Sequence, residues 1–234
     1  MSLRQVVLVA NEPLSAAVHW LRFRTADGQQ WSHTPGQWVN LSFPDEPKAR
    51  RAYSIASIAN GDQFALAVTH VPGGALSPRL CALQPGALLQ VDGPHGFFTR
   101  DDVSDQAALF VATGSGIAPI IAMLEAAVGP GAPRVPLTLL FGCRTEQDIL
   151  FGERLRAWAD DRVVDLALHV TLSQPAADWG GLRGYVQAHV ADLVAQRPVS
   201  HVYVCGMSAM VRAVRATLKP LGLGRGQVHT ERYD

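Results

Sequence analysis

The chain has 234 residues, of which 48% are hydrophobic and 17% are charged, so it supplies a sizeable core and is not a disordered chain. Lys and Arg together number 20, and so do Asp and Glu together, so the net charge is zero. A neutral chain has no general electrostatic attraction to nucleic acid or to an acidic membrane. Such a length corresponds to about one or two domains.

Short strands separated by turn residues dominate the N-terminal part of the chain. Alternating apolar residues predict strands at 6–10, 18–23, 38–43, 51–57, 64–71 and 88–91, with one helix over 76–83. Strands at this spacing with little helix between them predict a small antiparallel β-barrel. The polar stretch 99–105 marks a boundary, so we expect one domain over residues 1–102 and a second over 103–234.

Continuous apolar strands alternate with helices in the second part. Strands are predicted at 107–112, 137–141, 163–172 and 201–205, and helices at 117–128, 146–159, after Gly184 and at 207–218. This alternation indicates a doubly wound α/β domain, in which helices cover both faces of a parallel sheet. Its ligands are expected beyond the carboxyl ends of the strands.

The cysteine pattern excludes the common metal sites. Cys81, Cys143 and Cys205 are far apart and form no CxxC pair, so the sequence encodes neither an iron–sulfur nor a structural zinc site, and we expect no metal. A sparse, odd cysteine count suits a reducing compartment. Because no signal peptide or membrane-length apolar run is present, the expected location is the cytoplasm.

A glycine loop between a strand and a helix is the strongest local signal in the second domain. Gly114-Ser115-Gly116 follows an apolar strand, and glycines at a helix N-terminus allow a phosphate to approach free N–H groups. Pro119 stands where the usual fingerprint has its third glycine, so the match is partial. The alternative is an ordinary glycine turn.

Two other strand ends carry residues suited to a nucleotide. Arg144 follows the second strand, where a ribose or its phosphate would pass, although a solvated arginine is the commoner explanation. Cys205-Gly206 follows the fourth strand, where Gly206 permits close approach. A cysteine in such a place is more often a small buried apolar residue.

The first domain offers a possible cofactor strand. In Arg51-Ala52-Tyr53-Ser54, alternation puts Arg51 and Tyr53 on one face and Ser54 on the other, which supplies a cation for a phosphate and an aromatic plane for a ring. An ordinary strand with a surface arginine is the alternative. The turn from Gly73-Gly74 to Ser77 is a second possible anion site.

Six motifs occur in an order that resembles the ferredoxin–NADP(+) reductase superfamily. They are Arg51-Ala52-Tyr53-Ser54, Gly73-Gly74-Ala75-Leu76-Ser77, Gly93-Pro94-His95-Gly96, Thr113-Gly114-Ser115-Gly116, Gly142-Cys143-Arg144 and Cys205-Gly206-Met207. The resemblance runs from Pro35-Gly36-Gln37 to the C-terminal residues, and it is strongest to reductase components of bacterial aromatic-ring oxygenases and to small NAD(P)H–flavin oxidoreductases.

The resemblance implies a flavin-binding barrel followed by a nicotinamide-binding domain. Arg51 would then pair with the flavin phosphate, Tyr53 would stack on the isoalloxazine, and Ser54 would hydrogen-bond near flavin N5. Gly74 and Ser77 would offer backbone and hydroxyl donors to the FAD pyrophosphate.

The resemblance also assigns the nicotinamide side. The residues that would bind the dinucleotide pyrophosphate are those of the glycine loop, Thr113, Gly114, Ser115 and Gly116. Arg144 would approach the adenosine ribose, and Cys205 and Gly206 would lie beside the nicotinamide. Glu231 would lie near the transfer site, and Tyr233 would shield the other face of the flavin.

The implied activity is that of a FAD-dependent oxidoreductase that takes hydride from NADH or NADPH to flavin N5 and passes electrons to a separate acceptor. A ferredoxin, an oxygenase component or free flavin would serve as acceptor. Two alternatives stay open, namely a reductase that releases reduced flavin and a flavin- and nucleotide-binding subunit that works only inside a complex.

Four positions depart from the family pattern. Ser115 replaces the usual threonine, Met207 stands where proline usually follows Cys-Gly, and Asp234 follows the terminal aromatic residue, which must swing aside for nicotinamide to stack. Gln174 follows Ser173, where NADP-preferring members often carry an arginine. The missing arginine favours NADH, although Arg144 is a candidate for a 2′-phosphate contact.

Overall fold

The structure, a computed structural model, describes residues 3–100, 104–161 and 164–233. Its contacts divide the chain into two compact units, one of Met1–Asp101 with Ile121–Ala126, the other of Asp102–Ile120 with Ala127–Asp234. The domain boundary predicted between residues 102 and 103 lies outside the described residues. Within the described ranges, no helix is long and apolar enough to cross a membrane.

The first unit is an antiparallel six-stranded sheet in the order β4-β3-β6-β1-β2-β5. Its elements are β1 (Arg4–Pro13), β2 (Val18–Thr25), β3 (Trp38–Phe43), β4 (Glu46–Ser54), β5 (Gln63–Thr69), helix α1 (Ser77–Cys81) and β6 (Leu88–His95). An antiparallel bridge from Ile55 to Leu66 connects the chain after β4 to β5 and so brings the two sheet edges together. The predicted barrel is confirmed.

Alternating side chains build the core of this barrel. Val6 and Leu8 on β1 and Leu21 and Phe23 on β2 are fully buried, as period-two strands with one inward face require. Several predicted boundaries differ from the structure, and β1 and β6 are longer than predicted. The strand predicted at 51–57 ends at Ser54 and begins earlier, at Glu46, and the helix predicted at 76–83 covers only Ser77–Cys81.

The second unit is a parallel six-stranded sheet in the order β10-β9-β8-β7-β11-β12. Its strands are β7 (Ala108–Thr113), β8 (Leu137–Cys143), β9 (Leu166–Leu172), β10 (Leu182–Arg183), β11 (His201–Met207) and β12 (Val228–Tyr233). The helices are α2 (Ile117–Val128), α3 (Gly152–Asp160), α4 (Val190–Gln196) and α5 (Ser208–Leu218). The predicted doubly wound architecture is confirmed.

Two predicted elements of this unit are wrong in detail. The helix predicted at 146–159 is a short 3₁₀ turn followed by α3, because Phe151 adopts a left-handed backbone conformation with φ of 57° between them. The strand predicted at 163–172 begins at Leu166, and residue 163 lies outside the described part of the chain. Neither β10 nor β12 is predicted from the sequence.

The strand order creates a switch point beside β7. The chain runs outward from β7 through β8 and β9 to β10, then returns to place β11 on the other side of β7. The loops that follow β7 and β11 therefore diverge at the carboxyl edge of the sheet. In open α/β sheets this crevice is where ligands bind.

Candidate cofactor and nucleotide site

The glycine loop after β7 packs directly against the end of β11. A Cβ atom added at Gly116 would lie 2.4 Å from the backbone oxygen of Cys205 and 2.7 Å from its carbonyl carbon. Only glycine permits this approach, since both contacts are to backbone that cannot rotate away. The close approach holds the loop at the helix α2 N-terminus and the Cys205-Gly206 segment side by side.

Gly206 has no room for a side chain. Its φ is 154°, and an added Cβ would lie 2.4 Å from Thr113 Oγ1 and 2.6 Å from Met210 Cε. Thr113, at the end of β7, therefore packs against Gly206 at the end of β11. Gly114, with φ of 53°, has open space around its Cβ position, so its requirement for glycine is conformational.

Strand β12 brings the C-terminal residues to Cys205. In the parallel register, Cys205 pairs with Glu231 and Met207 pairs with Tyr233, so Glu231 and Tyr233 lie on the same face as the thiol. Cys205 is completely buried, whereas Met207 is 67% exposed. The structure thus gathers Cys205, Glu231 and Tyr233 at the carboxyl edge, next to Gly116.

The electrostatics of this cluster keep the thiol neutral. Burial raises the pKa of the Cys205 thiol well above its ordinary value, and the negative charge of Glu231 raises it further. The Tyr233 side chain hydrogen-bonds Cys205 and opposes the rise. Cys205 is therefore a small neutral thiol with an aromatic ring and a carboxylate beside it, and no thiolate nucleophile.

The ends of β8 and β9 are joined by backbone hydrogen bonds. The N–H groups of Ser173 and Gln174 donate to the carbonyl oxygens of Cys143 and Arg144, at 3.0 and 2.8 Å. The Arg144 side chain is exposed. Arg144 and Gln174 thus lie at one edge, on the opposite side of β7 from Cys205.

Arg183 organises the loop that follows β9, and sequence reasoning missed it. Its Nη2 donates to the carbonyl oxygens of Ala176, Ala177 and Trp179, at 3.2, 3.0 and 2.9 Å. The Trp179 indole N–H in turn donates to Leu182 O at 2.8 Å. The available signal was a tryptophan and glycine-rich segment directly after a parallel strand.

The predicted cofactor strand of the barrel is the edge strand β4. Arg51 is exposed, and its Nη1 donates to the Arg50 carbonyl oxygen at 2.7 Å. Tyr53 packs against the barrel core, and Ser54 is buried. Burial raises the pKa of the Tyr53 hydroxyl to about 12, with a further rise from Cys81 and an opposing effect from the Arg51 cation. Arg51 and Tyr53 therefore lie on the same face of β4.

The Gly73-Gly74 turn differs from its prediction in one respect. The Gly74 N–H, expected to be a free backbone donor, already donates to Val71 O at 2.9 Å. The Ser77 hydroxyl oxygen accepts from the Val71 N–H at 3.1 Å, which leaves its hydrogen available for donation. A Cβ at Gly74 would lie 2.9 Å from Val71 O.

Two aromatic rings near the end of β6 were also not predicted. Trp38 and His95 pair across β3 and β6, with ring centroids 4.8 Å apart, and a Cβ at Gly96 would lie 2.8 Å from the Trp38 ring. Phe97, the next residue, is 99% exposed. The Gly93-Pro94-His95-Gly96 motif marked this segment in the sequence without indicating a contact.

The residues present fit the two implied groups. Arg51 is an exposed cation whose only described hydrogen bond is to a backbone oxygen, beside an aromatic ring, as a flavin phosphate and ring require. In the other unit, Gly114 has open space at its Cβ position just before helix α2, and Gly116 lets this loop pack against the Cys205 backbone. A dinucleotide pyrophosphate can approach free backbone N–H groups at such a helix N-terminus.

Comparisons with known proteins agree with this geometry. Residues 5–99 match the oxidoreductase FAD-binding domain family, and residues 110–216 match the oxidoreductase NAD-binding domain family. The chain is 46% identical to ferredoxin–NADP reductase B of Sorangium cellulosum, with 97% of this chain and 96% of that protein covered. It is 28% identical to the toluate 1,2-dioxygenase electron transfer component of Pseudomonas putida and spans 64% of that protein's length.

Solved structures share the fold. The ferredoxin reductase in carbazole 1,9a-dioxygenase has a TM-score of 0.85 at 23% identity, covering 100% of this chain and 70% of that one. A ferredoxin NADP+ reductase from Neisseria gonorrhoeae has a TM-score of 0.83 at 19% identity, covering 99% of both chains. The shared fold, the two family matches and the relative at 46% identity agree with one another. The chain belongs to the ferredoxin–NADP reductase family and is a FAD-dependent NAD(P)H oxidoreductase.

Proposed function

We propose that this protein is the NAD(P)H-oxidising reductase of an electron-transfer chain whose next carrier is a separate ferredoxin or oxygenase component. The bound flavin supplies a hydride acceptor that releases electrons one at a time. The names of the relatives, a ferredoxin–NADP reductase and a dioxygenase electron transfer component, support this type of acceptor. The three cysteines are all free, which suits the reducing cytoplasm we propose as its location.

The convergence of Cys205, Glu231 and Tyr233 beside the Gly116 loop is the observation that carries the proposal. The neutral Cys205 thiol would position the nicotinamide without competing as a nucleophile. Tyr233, which hydrogen-bonds Cys205, would move aside when the nicotinamide enters. Glu231 would hold a negative charge near the positive nicotinamide product. Orientation of this kind contributes to rate by holding reacting atoms in a near-attack geometry.

An anaerobic titration of the purified flavoprotein tests this function. We expect stoichiometric NADH to bleach the visible flavin band, and a ferredoxin to restore the band when it is added in excess. A yellow protein that neither NADH nor NADPH bleaches would contradict the proposal, whereas bleaching without reoxidation by any ferredoxin would contradict only the acceptor.

The nucleotide preference rests on Arg144 and Gln174, which lie side by side after β8 and β9 at what we call the adenosine edge. We propose that NADH is preferred, because Gln174 is neutral where a 2′-phosphate would need a cation, even though the Sorangium relative is named for NADP. In the same titration, a lower half-saturating concentration for NADH is expected. If NADPH proves the better substrate, Arg144→Gln should lower the affinity for NADPH and leave the affinity for NADH unchanged.

Arg51→Ala should weaken FAD binding by about 10- to 100-fold, because an arginine–phosphate hydrogen bond contributes about 1.5–3 kcal/mol. Arg50→Ala is the matched control, since Arg50 lies on the same strand with Nη1 3.7 Å from a carboxylate oxygen of Asp92. The measurement is flavin content after dialysis, with FAD affinity from fluorescence quenching. Equal flavin loss in both variants would remove the phosphate role of Arg51.

Arg183→Met should raise the KM for the nucleotide about 10-fold while kcat and flavin content stay near their original values. The reason is that three carbonyl oxygens of the loop after β9 lose their common donor, so that the adenosine edge is no longer held in shape. Arg183→Lys should recover part of the affinity, and Arg134→Met, at an exposed arginine elsewhere in this unit, should have no effect. A fall in kcat with unchanged KM would contradict this positioning role.

A second candidate, in which flavin diffuses as a substrate, is favoured by the Gly74 N–H being already bonded within its turn. A protein that holds its pyrophosphate with fewer backbone donors would release flavin more easily. Gel filtration of the reductase with one equivalent of FAD separates the two functions. Co-elution of FAD supports the retained cofactor, and separation supports the diffusing flavin.

A further inference from the structure

A cationic region lies in the nucleotide-binding unit, away from the glycine loop. Residues 208–230 contain four of the chain's 20 Lys and Arg and none of its 20 Asp and Glu. These cations are Arg212, Arg215, Lys219 and Arg225, and all four are exposed. None of their side chains makes an ion pair or hydrogen bond with another residue that the structure describes.

The four cations converge on one groove, which we call the basic groove. It has a volume of about 460 Å³, and the cations that line it are Arg212, Arg215, Lys219 and Arg225. Helix α5 supplies Arg212 and Arg215, and Lys219 follows its last residue. The turn after Gly222, with φ of 82°, supplies Arg225. Ala216, Leu223 and Val228 form an apolar part of the lining.

Helix stability does not account for this arrangement. Arg212 with Arg215 and Arg215 with Lys219 are spaced three and four residues apart, so that like charges repel on one helix face. The helix dipole favours cations only in the last turn, which covers Arg215 and Lys219. Arg212 is in mid-helix and Arg225 lies beyond it, so neither benefits. These charges therefore do not stabilise the helix, and binding of an anionic ligand would account for them.

The basic groove is separate from the nucleotide site. Val228 is the first residue of β12 and Tyr233 the last, so the groove is at the amino edge of the sheet, whereas the nicotinamide cluster is at the carboxyl edge. Five strand steps of about 3.3 Å put the two ends about 16 Å apart. A ligand in the groove would not displace the dinucleotide.

The groove's chemistry specifies an anionic ligand with several charges. Arginine presents a planar fork that matches phosphate oxygens in pairs, and three of the four cations are arginines. Arg212 to Lys219 spans about 10 Å of helix, more than a single phosphate occupies. The volume of 460 Å³ falls within the usual range of small-molecule sites, about 300–1,000 Å³. We propose that the basic groove binds a small molecule carrying two or more phosphate groups.

Calorimetric titration of the FAD-loaded protein with inorganic tripolyphosphate tests this. Saturating NAD+ and NADP+, in separate experiments, would keep the probe out of the dinucleotide site. We expect one equivalent to bind, with inorganic orthophosphate binding more weakly. The variant Arg212→Gln/Arg215→Gln should weaken binding about 100-fold, at about tenfold for each lost charge-assisted contact.

Two further variants keep the test specific. Lys219→Gln/Arg225→Gln should lower the affinity for tripolyphosphate by a similar factor. Arg134→Gln, which removes an exposed charge elsewhere in the unit, should leave the affinity for tripolyphosphate unchanged. Absent or multiple binding, equal weakening by Arg134→Gln, or unchanged affinity in both groove variants would overturn the proposal. One-to-one binding of a glutamate-rich peptide without tripolyphosphate binding would overturn it too, in favour of an acidic protein partner.

Discussion

Gly116→Ala should slow hydride transfer about 100-fold and lower the affinity for the nucleotide, although residue 116 itself need not touch the reacting atoms. The new methyl group would lie 2.4 Å from the Cys205 carbonyl oxygen, and because that atom is backbone, the glycine loop and the end of β11 must separate. A separation of about 1 Å at this point misplaces the nicotinamide relative to Cys205. Single-turnover bleaching of the flavin by NADH measures the effect.

Gly114→Ala is the comparison for that experiment. It lies in the same loop but has open space at its Cβ position, so its cost is the left-handed backbone alone, about 1 kcal/mol. We expect it to retain much more activity than Gly116→Ala, with equal flavin content in both proteins. If the two variants lost activity equally, close approach to Cys205 would not be what requires glycine at residue 116.

Cys205→Ala should reduce the rate of hydride transfer about tenfold, with little change in FAD affinity. The thiol is fully buried beside Glu231 and Tyr233, so its removal leaves a gap where we expect the nicotinamide ring to be aligned. Stopped-flow reduction by NADH gives the rate, and fluorescence titration gives the FAD affinity. Cys143→Ala, at the end of β8, is the matched control and should leave the rate unchanged.

The pH dependence of this effect follows from the raised pKa of Cys205. A thiol whose pKa lies above its ordinary value stays protonated through the range in which a free cysteine ionises, so no titration of Cys205 should appear there. The ratio of the native rate to the Cys205→Ala rate should therefore be constant from neutral to mildly alkaline pH. A ratio that changes near the ordinary cysteine pKa would assign Cys205 a role as thiolate.

Local pattern was enough for most of the barrel and for the strands that flank the glycine loop. β7 and β8 are buried on both faces, so their continuous apolar runs are visible in the sequence. The edge strand β12 pairs only with β11 and is rich in polar residues, so it carries no such signal. Phe151 likewise broke a predicted helix through a left-handed conformation that no propensity for phenylalanine indicates.

The order of the motifs by itself determined the family and the two cofactors. It also predicted that the residues at the ends of β7, β8 and β11 bind the nucleotide. Tertiary structure alone decided which of them meet. Glu231 and Tyr233 reach Cys205 through the register of two strands that are more than 20 residues apart in the chain. Arg183 reaches three carbonyl oxygens because β10 pairs with β9. The physical reason is the same in both cases: periodicity reports what is local, whereas strand pairing and long-range hydrogen bonds depend on the whole packed chain.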